Sequence, residues 1–493
     1  MPVKKTSTLA SDLVGQPTQL DQLKEVEKTS EATVETKSVD TESVDADIAD
    51  TNIADIENDS NQVDNASVAK DSTVRKQEER SEEHPEERSE ERERKSSGFS
   101  PRIIRHKVSR NNYQEVDNAS ETIEGILDMS RDGHGILRVD YSESERDAYI
   151  STSQIRRLQL RPGDVVTGLA RRPKDNERFW GLLKIDKVNN IPVDQFVKKE
   201  RIKFKSLTPV YPDTLLKMET TKDLLSLRIV DMIAPIGKGQ RSLIVSPPKA
   251  GKTTLLKDIA TGVAANNPDV HLMAVLVGER PEEVTDIRRH IANLTKGKGE
   301  TAASNFDEPA TDQCRVAELA LERAKRLVED GQDVVILLDS ITRLARAYNL
   351  AMPTSGRTLS GGFDPAALFP PKKFFGAARN FEVQGSLTIV GTALVDTGSR
   401  MDDLVYEEFK GTGNQEIHLD RGLAERRIHP AIDVQKSGTR RDDLLIDPIT
   451  YQAVITLHRM LDMLNKDERT ITLIEKLKRS NSNKEFLASL KEG

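Results

Sequence analysis

The spacing of apolar positions after about residue 230 predicts a layered α/β domain. Short, wholly apolar runs at residues 243–245, 271–277, 334–339 and 386–393 are typical of strands buried on both faces. Longer stretches such as residues 315–330 carry apolar side chains every three or four positions, which indicates helices. This alternation predicts a mostly parallel sheet flanked by helices over residues 231–493.

Between residues 118 and 190 the pattern changes to short segments typical of strands. Five of them follow at close spacing, at residues 122–128, 135–139, 148–150, 164–170 and 179–187. An amphipathic, helix-like segment at residues 153–160 separates the third from the fourth. Five strands and one short helix predict a small closed β-barrel of the oligonucleotide-binding (OB) type. Residues 191–230 are expected to connect this barrel to the larger domain.

Residues 1–117 are predicted to form a disordered acidic tail. They contain two aromatic side chains and are rich in Ser, Thr, Asp, Glu and Asn, which leaves too little apolar surface to offset the entropy of ordering. The first 100 residues carry 25 acidic and 13 basic side chains, so the formal charge of −8 comes from this tail.

A phosphate-binding loop precedes the first long helix of the predicted α/β domain. From Ser246 to Thr253 the chain reads Ser-Pro-Pro-Lys-Ala-Gly-Lys-Thr, in which backbone N–H groups and the following helix N-terminus can bind phosphate oxygens. Lys252 supplies a point charge, and Thr253 supplies a hydroxyl group for Mg²⁺. Ser246 replaces the usual first glycine, but Gly251, where the backbone approaches phosphate, is present. The loop predicts binding of ATP or GTP.

Two carboxylates follow apolar runs and are therefore expected at the same sheet edge as the loop. Asp339 ends the run 334–339 and is predicted to serve Mg²⁺, with a helix N-cap as its alternative role. Glu279 follows the run 271–277 and stands where a water-activating base is needed. The following Pro281 also allows Glu279 to mark the beginning of a helix.

Aromatic and basic side chains favour single-stranded nucleic acid as the ligand of the barrel. Tyr149, Phe179 and Trp180 fall on predicted strands of a chain that is 4% aromatic. Basic residues surround them: Arg138, Arg156, Arg157, Arg171, Arg172, Lys174 and Arg178. Bases need flat faces and phosphates need cations, although the same aromatics also fit a barrel core without a ligand.

Two further features concern loops and cell compartment. Glycine-rich residues 354–362 and residues 396–400 each include an arginine, and they are expected to be mobile loops, in contact either with solvent or with a polymer. Cys314 is the sole cysteine and is expected on a helix as a small hydrophobe. Since no apolar run approaches the length needed to cross a bilayer, we expect a soluble cytoplasmic protein.

Taken in order, the motifs resemble those of the bacterial transcription termination factor Rho family. Members of that family are hexameric RNA-dependent ATPases and helicases with a RecA-like motor. The resemblance covers residues 121–493. It is carried by PIGKGQR from Pro235, PPKAGKT from Pro247, ERPEEVT from Glu279, LLDSITRLARAYN from Leu337 and KKFFGAARN from Lys372.

The resemblance implies a RecA-like P-loop ATPase motor behind an OB-fold barrel, with ATP and Mg²⁺ as cofactors. Glu279 would activate water, Asp339 and Thr253 would serve Mg²⁺, and Arg440, assisted by Arg427, would be an arginine finger reaching a neighbouring subunit's ATP. The residues expected to border the nucleotide are Gly237, Lys238, Gly239, Gln240, Arg241, Ser242, Lys249, Ala250, Gly251, Lys252, Thr253, Thr254 and Arg280.

It also implies two RNA sites. The barrel would bind RNA through Gly133, His134, Gly135, Ile136, Leu137, Arg138, Asp147, Ala148, Tyr149, Glu177, Arg178 and Phe179. A central pore would grip RNA through Thr358, Leu359, Ser360, Gly361, Gly362 and Arg400. The implied function is transcription termination by a homohexamer that binds pyrimidine-rich nascent RNA and translocates 5′ to 3′ as a helicase. Its implied partners are the RNA polymerase elongation complex and its elongation factors. No membrane partner is implied.

This chain departs from the family pattern at three positions. His134 and Ile136 stand where aromatic residues are usual, which predicts altered RNA affinity or pyrimidine preference. His429 stands where a phenylalanine near the adenine is expected.

Two other classes of protein remain alternatives. The catalytic subunit of a rotary ATP synthase or protein-export ATPase shares the phosphate loop, the segment from Pro235 and a hexameric ring, but its barrel needs no aromatic and arginine surface. A nucleic-acid-binding ring without turnover would not need Lys252, Glu279, Asp339 and Arg440 together.

Overall fold

The N-terminal part of the described chain is a small closed barrel. The structure is a computed structural model that describes residues 120–130, 132–383 and 385–490, so the predicted tail lies outside the described residues. The strands are β1 (Ser120–Met129), β2 (Gly135–Arg138), β3 (Ala148–Ile150), β4 (Val165–Arg171), β5 (Trp180–Val188) and β6 (Ile191–Pro192). Their order is β3-β2-β1-β4-β5-β6, and a parallel pairing of β3 with β5 closes the barrel.

One short helix, α1 (Thr152–Leu158), lies between β3 and β4, as predicted. It begins at a capping box, in which Gln154 N donates to Ser151 Oγ and Ser151 N donates to Gln154 Oε1. The five predicted strands are confirmed, with β6 as a two-residue addition. Phe179 was expected on a strand, but it precedes β5, which begins at Trp180.

The larger domain contains a mostly parallel sheet. Its strands are β7 (Pro209–Val210), β8 (Arg241–Ser246), β9 (His271–Glu279), β10 (Glu300–Asn305), β11 (Asp333–Asp339), β12 (Arg379–Phe381), β13 (Ser386–Leu394), β14 (Gln415–Leu419) and β15 (Ile432–Thr439). The order is β10-β9-β11-β13-β8-β14-β15, in which every pair is parallel except β14 with β15. β12 pairs antiparallel with β13 and with β7, which lies in the predicted connector.

Helices cover both faces of this sheet. The short α2 (Val193–Phe196) packs against the barrel, whose core includes Phe196. The helices of the larger domain are α3 (Leu225–Ile233), α4 (Lys252–Asn266), α5 (Pro281–Thr295), α6 (Ala310–Glu329), α7 (Ile341–Ala351), α8 (Phe369–Phe375), α9 (Arg400–Lys410), α10 (Arg421–Glu425), α11 (Pro448–Asp462), α12 (Lys466–Lys478) and α13 (Asn483–Ser489). Side chains of β11 alternate between two cores: Val334, Ile336 and Leu338 pack into one, and Val335 and Leu337 into the other. Burial on both faces explains why the central strands are continuous apolar runs.

The barrel packs against α6 at a close backbone contact. Gly163 has φ of +83°, and a Cβ there would lie 2.4 Å from the backbone of Glu322, so only glycine fits. Ion pairs flank this contact, with Arg161 Nη1 2.9 Å from Glu329 Oε2 and Arg315 Nε 2.6 Å from Asp128 Oδ2. The barrel is thereby held on the helix that also carries the buried Cys314.

Within the part of the chain that the structure describes, no helix combines the length and apolar character required to cross a bilayer.

Candidate functional site

The carboxyl-terminal edge of the sheet brings the phosphate loop and two carboxylates together. β8 ends at Ser246, and α4 begins at Lys252 directly after the loop. Gly251 has φ of +100° and an added Cβ would meet nothing within 4 Å, so backbone conformation rather than space favours glycine. Glu279 ends β9 and Asp339 ends β11, both at this edge. Parallel pairing of β9 with β11 makes these two carboxylates neighbours.

Lys252 links the loop to both carboxylates. Its Nζ lies 2.5 Å from Asp339 Oδ1 and 3.3 Å from Glu279 Oε1. Burial by itself would lower the pKa of Lys252, but the charges of Asp339 and Glu279 more than offset it and raise the pKa above its usual value. The amine is therefore a fixed positive charge at the beginning of α4.

Glu279 has the environment of a general base. It is 2% exposed, and burial, followed by the charge of Asp339, raises its pKa, while Lys252 and Arg343 oppose the rise. Arg343 Nε lies 3.1 Å from Glu279 Oε1, and Arg343 Nη1 donates to the carbonyl oxygen of Gly278. A carboxylate whose pKa is raised accepts a proton from water more readily.

The surroundings of Asp339 fit a divalent cation. Its Oδ1 accepts hydrogen bonds from Lys252 Nζ and, at 2.7 Å, from Thr392 Oγ1. Its Oδ2 is buried and has no hydrogen-bond partner among the described residues. A buried carboxylate oxygen without a donor is costly unless a ligand satisfies it, and hard oxygen ligands suit Mg²⁺. Thr253, in the first turn of α4, is the second candidate ligand.

A cleft of about 450 Å³ opens beside the phosphate loop. Ala250, Gly251 and Thr254 line it on one side, and His429 lines it on the other. A concave site of this kind next to a phosphate loop suits the base of a nucleotide. Arg280 is exposed at the N-cap position of α5, directly after Glu279.

The residues expected to border the nucleotide divide between two sheet edges. Lys249 to Thr254 lie in the loop and the first turn of α4, whereas Gly237 to Gln240 precede β8, and Arg241 and Ser242 begin it. β8 has six residues, so the two groups are separated by about 20 Å at roughly 3.3 Å per residue. One chain therefore cannot bring both groups to a single nucleotide. Both sets can border one nucleotide only if they come from different chains.

Arg440 lies at the edge of the sheet where β8 begins, which we call the far edge because the phosphate loop of the same chain lies at the opposite edge. Gln415 pairs with Ser242 on one side and with Thr439 on the other, which places Arg440 beside the beginning of β8. Arg427 precedes the cleft residue His429, at the opposite end of the eight-residue β15. The two arginines of one chain thus lie beyond opposite ends of β15, which spans roughly 26 Å at about 3.3 Å per residue.

Arginines cluster at this far edge. Burial lowers the pKa of Arg241, and the nearby charges of Arg379 and Arg440 lower it further. Both neighbours are exposed. An edge with several closely spaced guanidinium groups attracts a polyanion brought by another molecule.

The barrel presents an aromatic and charged surface. The rings of His134 and Tyr149 have centroids 5.6 Å apart, and the guanidinium of Arg178 lies 5.2 Å from the ring of Phe179. Glu177 is held by Arg171, whose Nη1 and Nη2 lie 2.6 and 2.7 Å from its two oxygens. The hydrogen bonds from Arg171, together with the backbone N–H of Lys174, lower the pKa of Glu177 to about 2. Rings and an oriented carboxylate offer stacking and hydrogen bonding to an unpaired base.

Arg138 is the wrong candidate for a phosphate contact. It is 1% exposed, and its Nη1 lies 2.5 Å from Asp147 Oδ2, while Asp147 is itself fully buried. Gly135, Leu137 and Ala148 are also buried, so they support the surface rather than form it. Trp180 is 8% exposed within the barrel core and offers no open face for stacking.

The two glycine-rich loops meet at the carboxyl-terminal edge. A Cβ added to Gly361 would lie 2.8 Å from Met401 N, so residues 358–362 contact the beginning of α9, where Arg400 is exposed. Asp402 is buried beneath them and accepts hydrogen bonds from Thr397 Oγ1 and Arg346 Nε at 2.6 and 2.8 Å. The structure therefore joins two segments that are 40 residues apart in the sequence.

Comparison with known proteins identifies both domains. The nucleotide-binding domain of the ATP synthase alpha/beta family matches residues 226–439, and the RNA-binding domain of the Rho termination factor matches residues 123–194. Transcription termination factor Rho of Bacillus subtilis is 54% identical over 372 residues, which cover 75% of this chain and 85% of that protein. The chain belongs to the transcription termination factor Rho family. The Rho of Aquifex aeolicus is 50% identical over 75% of this chain and 84% of its own length.

Membership of the Rho family favours an RNA-binding ATPase over the catalytic subunit of a rotary or protein-export ATPase. The barrel matches the RNA-binding domain of Rho, which does not favour a rotary or protein-export subunit. A solved ATPase of a bacterial type III secretion system is 24% identical, with a TM-score of 0.49, over 58% of this chain and 86% of that one. The two family models and the Rho relatives, by contrast, show that the chain is an ATP-hydrolysing P-loop enzyme with an RNA-binding domain.

Sequence reasoning missed two residues of the nucleotide site. Thr392 interrupts an apolar strand, and this polar position on β13 was the available signal. Arg343 follows Asp339 by four residues, on the first turn of α7, close enough to reach Glu279. Neither position stands out until the neighbouring strands are known.

The barrel allows buried and exposed arginines to be separated by experiment. Arg138→Ala should destabilise the barrel by about 3–5 kcal/mol, because it leaves the buried Asp147 without its cation. Urea unfolding followed by the fluorescence of Trp180, the sole tryptophan, measures this loss. Arg178→Ala should leave the midpoint unchanged and weaken binding of a cytosine-rich oligonucleotide. Equal effects of the two substitutions on stability would contradict the assignment.

Proposed function

We propose that this chain is the subunit of a homohexameric, RNA-dependent ATPase that terminates transcription. The ring binds pyrimidine-rich single-stranded nascent RNA, translocates 5′ to 3′ as a helicase, and releases the transcript from the RNA polymerase elongation complex with its elongation factors. Membership of the Rho family supports this proposal. Such a factor works where nascent transcripts are made, which in bacteria is the cytoplasm.

One observation carries the proposal: strand β13 joins the nucleotide site to the loops proposed to hold RNA. Thr392 on β13 donates to Asp339, and Leu394 N, at its end, donates to Thr342 Oγ1 at 2.9 Å. The chain then continues into the loop that ends at Arg400. A displacement at the nucleotide site therefore has a short path to the RNA loops, as a translocating motor requires.

Within one subunit, Lys252 would bind the phosphates of ATP and Glu279 would take the proton of the attacking water. Arg343 would keep Glu279 oriented, since it contacts both the carboxylate and the carbonyl oxygen of Gly278. Bound Mg²⁺, held by Thr253 and Asp339, would neutralise negative charge on the phosphates.

A neighbouring subunit would complete this site. Arg440 is exposed at the edge opposite its own phosphate loop, so it can contact a triphosphate only on another copy of the chain. With it come Arg241 and the turn that precedes β8, which belong to the same far edge. Hydrolysis then depends on ring assembly, because each site lacks its finger until a neighbour docks.

RNA would be bound first by the barrel and then by the pore. Tyr149, Phe179 and His134 offer ring faces, and the carboxylate of Glu177 can accept a hydrogen bond from the amino group of cytosine. The paired loops at 358–362 and Arg400 would grip the strand. Replacement of aromatics by His134 and Ile136 leaves fewer large rings on the barrel.

ATP turnover measured with and without a cytosine-rich RNA oligonucleotide tests this function, together with particle mass. We expect turnover to rise several-fold with the cytosine-rich strand, less with an adenine-rich strand of equal length, and the mass to be that of six chains. Turnover that is independent of RNA would contradict the proposal, and so would a monomer under all conditions.

A further inference from the structure

Asn414 lies at the far edge of the central sheet, between Arg241 at the beginning of β8 and Arg440. It directly precedes β14, whose first residue, Gln415, pairs with β8 on one side and with β15 on the other. Arg440 N donates to the Asn414 carbonyl oxygen at 2.9 Å, and Asn414 N donates to the carbonyl oxygen of Arg241 at 3.0 Å. The backbone position of the finger residue is thus set by the backbone position of Asn414.

The side chain of Asn414 fixes that position. Its Oδ1 accepts hydrogen bonds from Arg241 N at 2.8 Å and from Gln240 Nε2 at 2.9 Å. Gln240 is fully buried and also donates to the Asn414 carbonyl oxygen at 3.1 Å. One amide oxygen therefore ties the segment before β14 to the turn before β8.

The other residues of the segment are held through backbone groups only, by hydrogen bonds from Thr412 N and Gly413 N to the Phe409 carbonyl oxygen and from Arg241 Nε to the Thr412 carbonyl oxygen. The segment begins at Gly411, at the end of α9, and continues through Thr412 and Gly413. Glycine backbones are free to adopt many conformations, and a Cβ at Gly411 would meet nothing within 4 Å. Without the side-chain oxygen of Asn414, the residue that supports Arg440 would be held only by its backbone.

We infer that Asn414 is a positioning residue for the trans-acting finger, fixing Arg440 and Arg241 together at the edge that meets a neighbour's ATP. The inference rests on the proposed function, in which Arg440 acts on another subunit. A shift of about 1 Å in a group that stabilises a transition state costs up to about 100-fold in rate. Asn414 would act through Arg440 and would not contact ATP itself.

Three substitutions test this inference in the full-length chain, by RNA-stimulated ATP turnover. Asn414→Ala should lower kcat by about 10- to 100-fold with a small change in KM for ATP, because the phosphate loop of each subunit is untouched. Asn414→Asp keeps the acceptor oxygen and should retain turnover close to that of the unmodified chain. Thr412→Ala is the matched control, since Thr412 contributes its backbone carbonyl oxygen to Arg241 Nε and should tolerate loss of its side chain.

Two further measurements separate positioning from a general loss of structure. The double substitution Asn414→Ala with Arg440→Ala should be no slower than Arg440→Ala alone, because both remove the same function. Mixed rings of Asn414→Ala and Lys252→Ala subunits should recover part of the activity, because one supplies an intact loop and the other an intact finger.

Unchanged kcat in Asn414→Ala, or an additive loss in the double substitution, would overturn the inference. If Asn414→Ala does not assemble, the Asp variant decides: an assembled ring as slow as Arg440→Ala would also overturn it. Full activity of Arg440→Ala would instead overturn the proposed trans finger, so the two failures are distinguishable.

Discussion

Lys252→Ala should abolish RNA-stimulated ATP hydrolysis, with a loss of about 10³-fold or more in kcat. Lys252 is a cation that contacts both carboxylates of the site, with its Nζ 2.5 Å from Asp339 Oδ1 and 3.3 Å from Glu279 Oε1. Its removal takes away a preorganised charge that would bind the phosphates. It also raises the pKa of Glu279 further, since Lys252 is one of the two cations that oppose the rise. Single-turnover hydrolysis with bound RNA measures the chemical step directly.

The neighbouring Lys257→Ala is the control for this substitution. Lys257 lies on the same helix and pairs with Asp286 at 3.0 Å, on a partly exposed surface, so its loss should cost little. The Lys252→Ala ring should still bind a cytosine-rich oligonucleotide through the barrel. If the substituted ring continues to unwind RNA, the assignment of the motor is wrong.

Four central strands of the large sheet could be predicted because their apolar runs are unambiguous. The strands β8, β9, β11 and β13 are buried on both faces, and such runs cannot be confused with exposed segments. Five strands of this sheet were missed: β7 and β12 have only two and three residues and leave no periodic signal, and β10, β14 and β15 mix polar with apolar residues. The pairing of β7 with β12 also joins the predicted connector to the sheet, a long-range contact that local sequence does not encode.

The position of a site residue could be predicted only where it follows from the end of a single strand or the beginning of a single helix. The loop and the two carboxylates end strands or begin helices, so their common edge follows from parallel pairing. The separation of Arg440 from its own loop depends on the register of β14 with β8 and β15, which apolar spacing does not show. The sequence did not indicate that Arg138 is buried, because an arginine on a short strand is normally expected to be exposed. Only the folded structure shows that Asp128 and Asp147 surround it.

Arg440→Ala should leave ring assembly and ATP binding intact and lower turnover by about 10³- to 10⁵-fold, the range for loss of an arginine finger. The residue is exposed, and its backbone N–H donates to Asn414, a contact that the substitution keeps. Turnover and particle mass are measured on the same preparation. Arg441→Ala is the matched control: the adjacent arginine pairs with Asp443 within its own chain at 3.0 Å and should be dispensable for turnover.

Mixing provides the sharper measurement, because it asks which subunit each residue serves. Arg440→Ala and Lys252→Ala subunits should each be inactive alone, but a mixed ring would contain interfaces at which an intact phosphate loop meets an intact arginine finger. If the finger acts in trans, activity should reappear on mixing and should depend on the ratio of the two proteins, with a maximum at intermediate ratios. If Arg440 instead served its own phosphate loop, Lys252→Ala subunits could not complement it, and no ratio would restore turnover. The register of β8, β14 and β15 puts about 20 Å between Arg440 and its own loop, so we expect recovery.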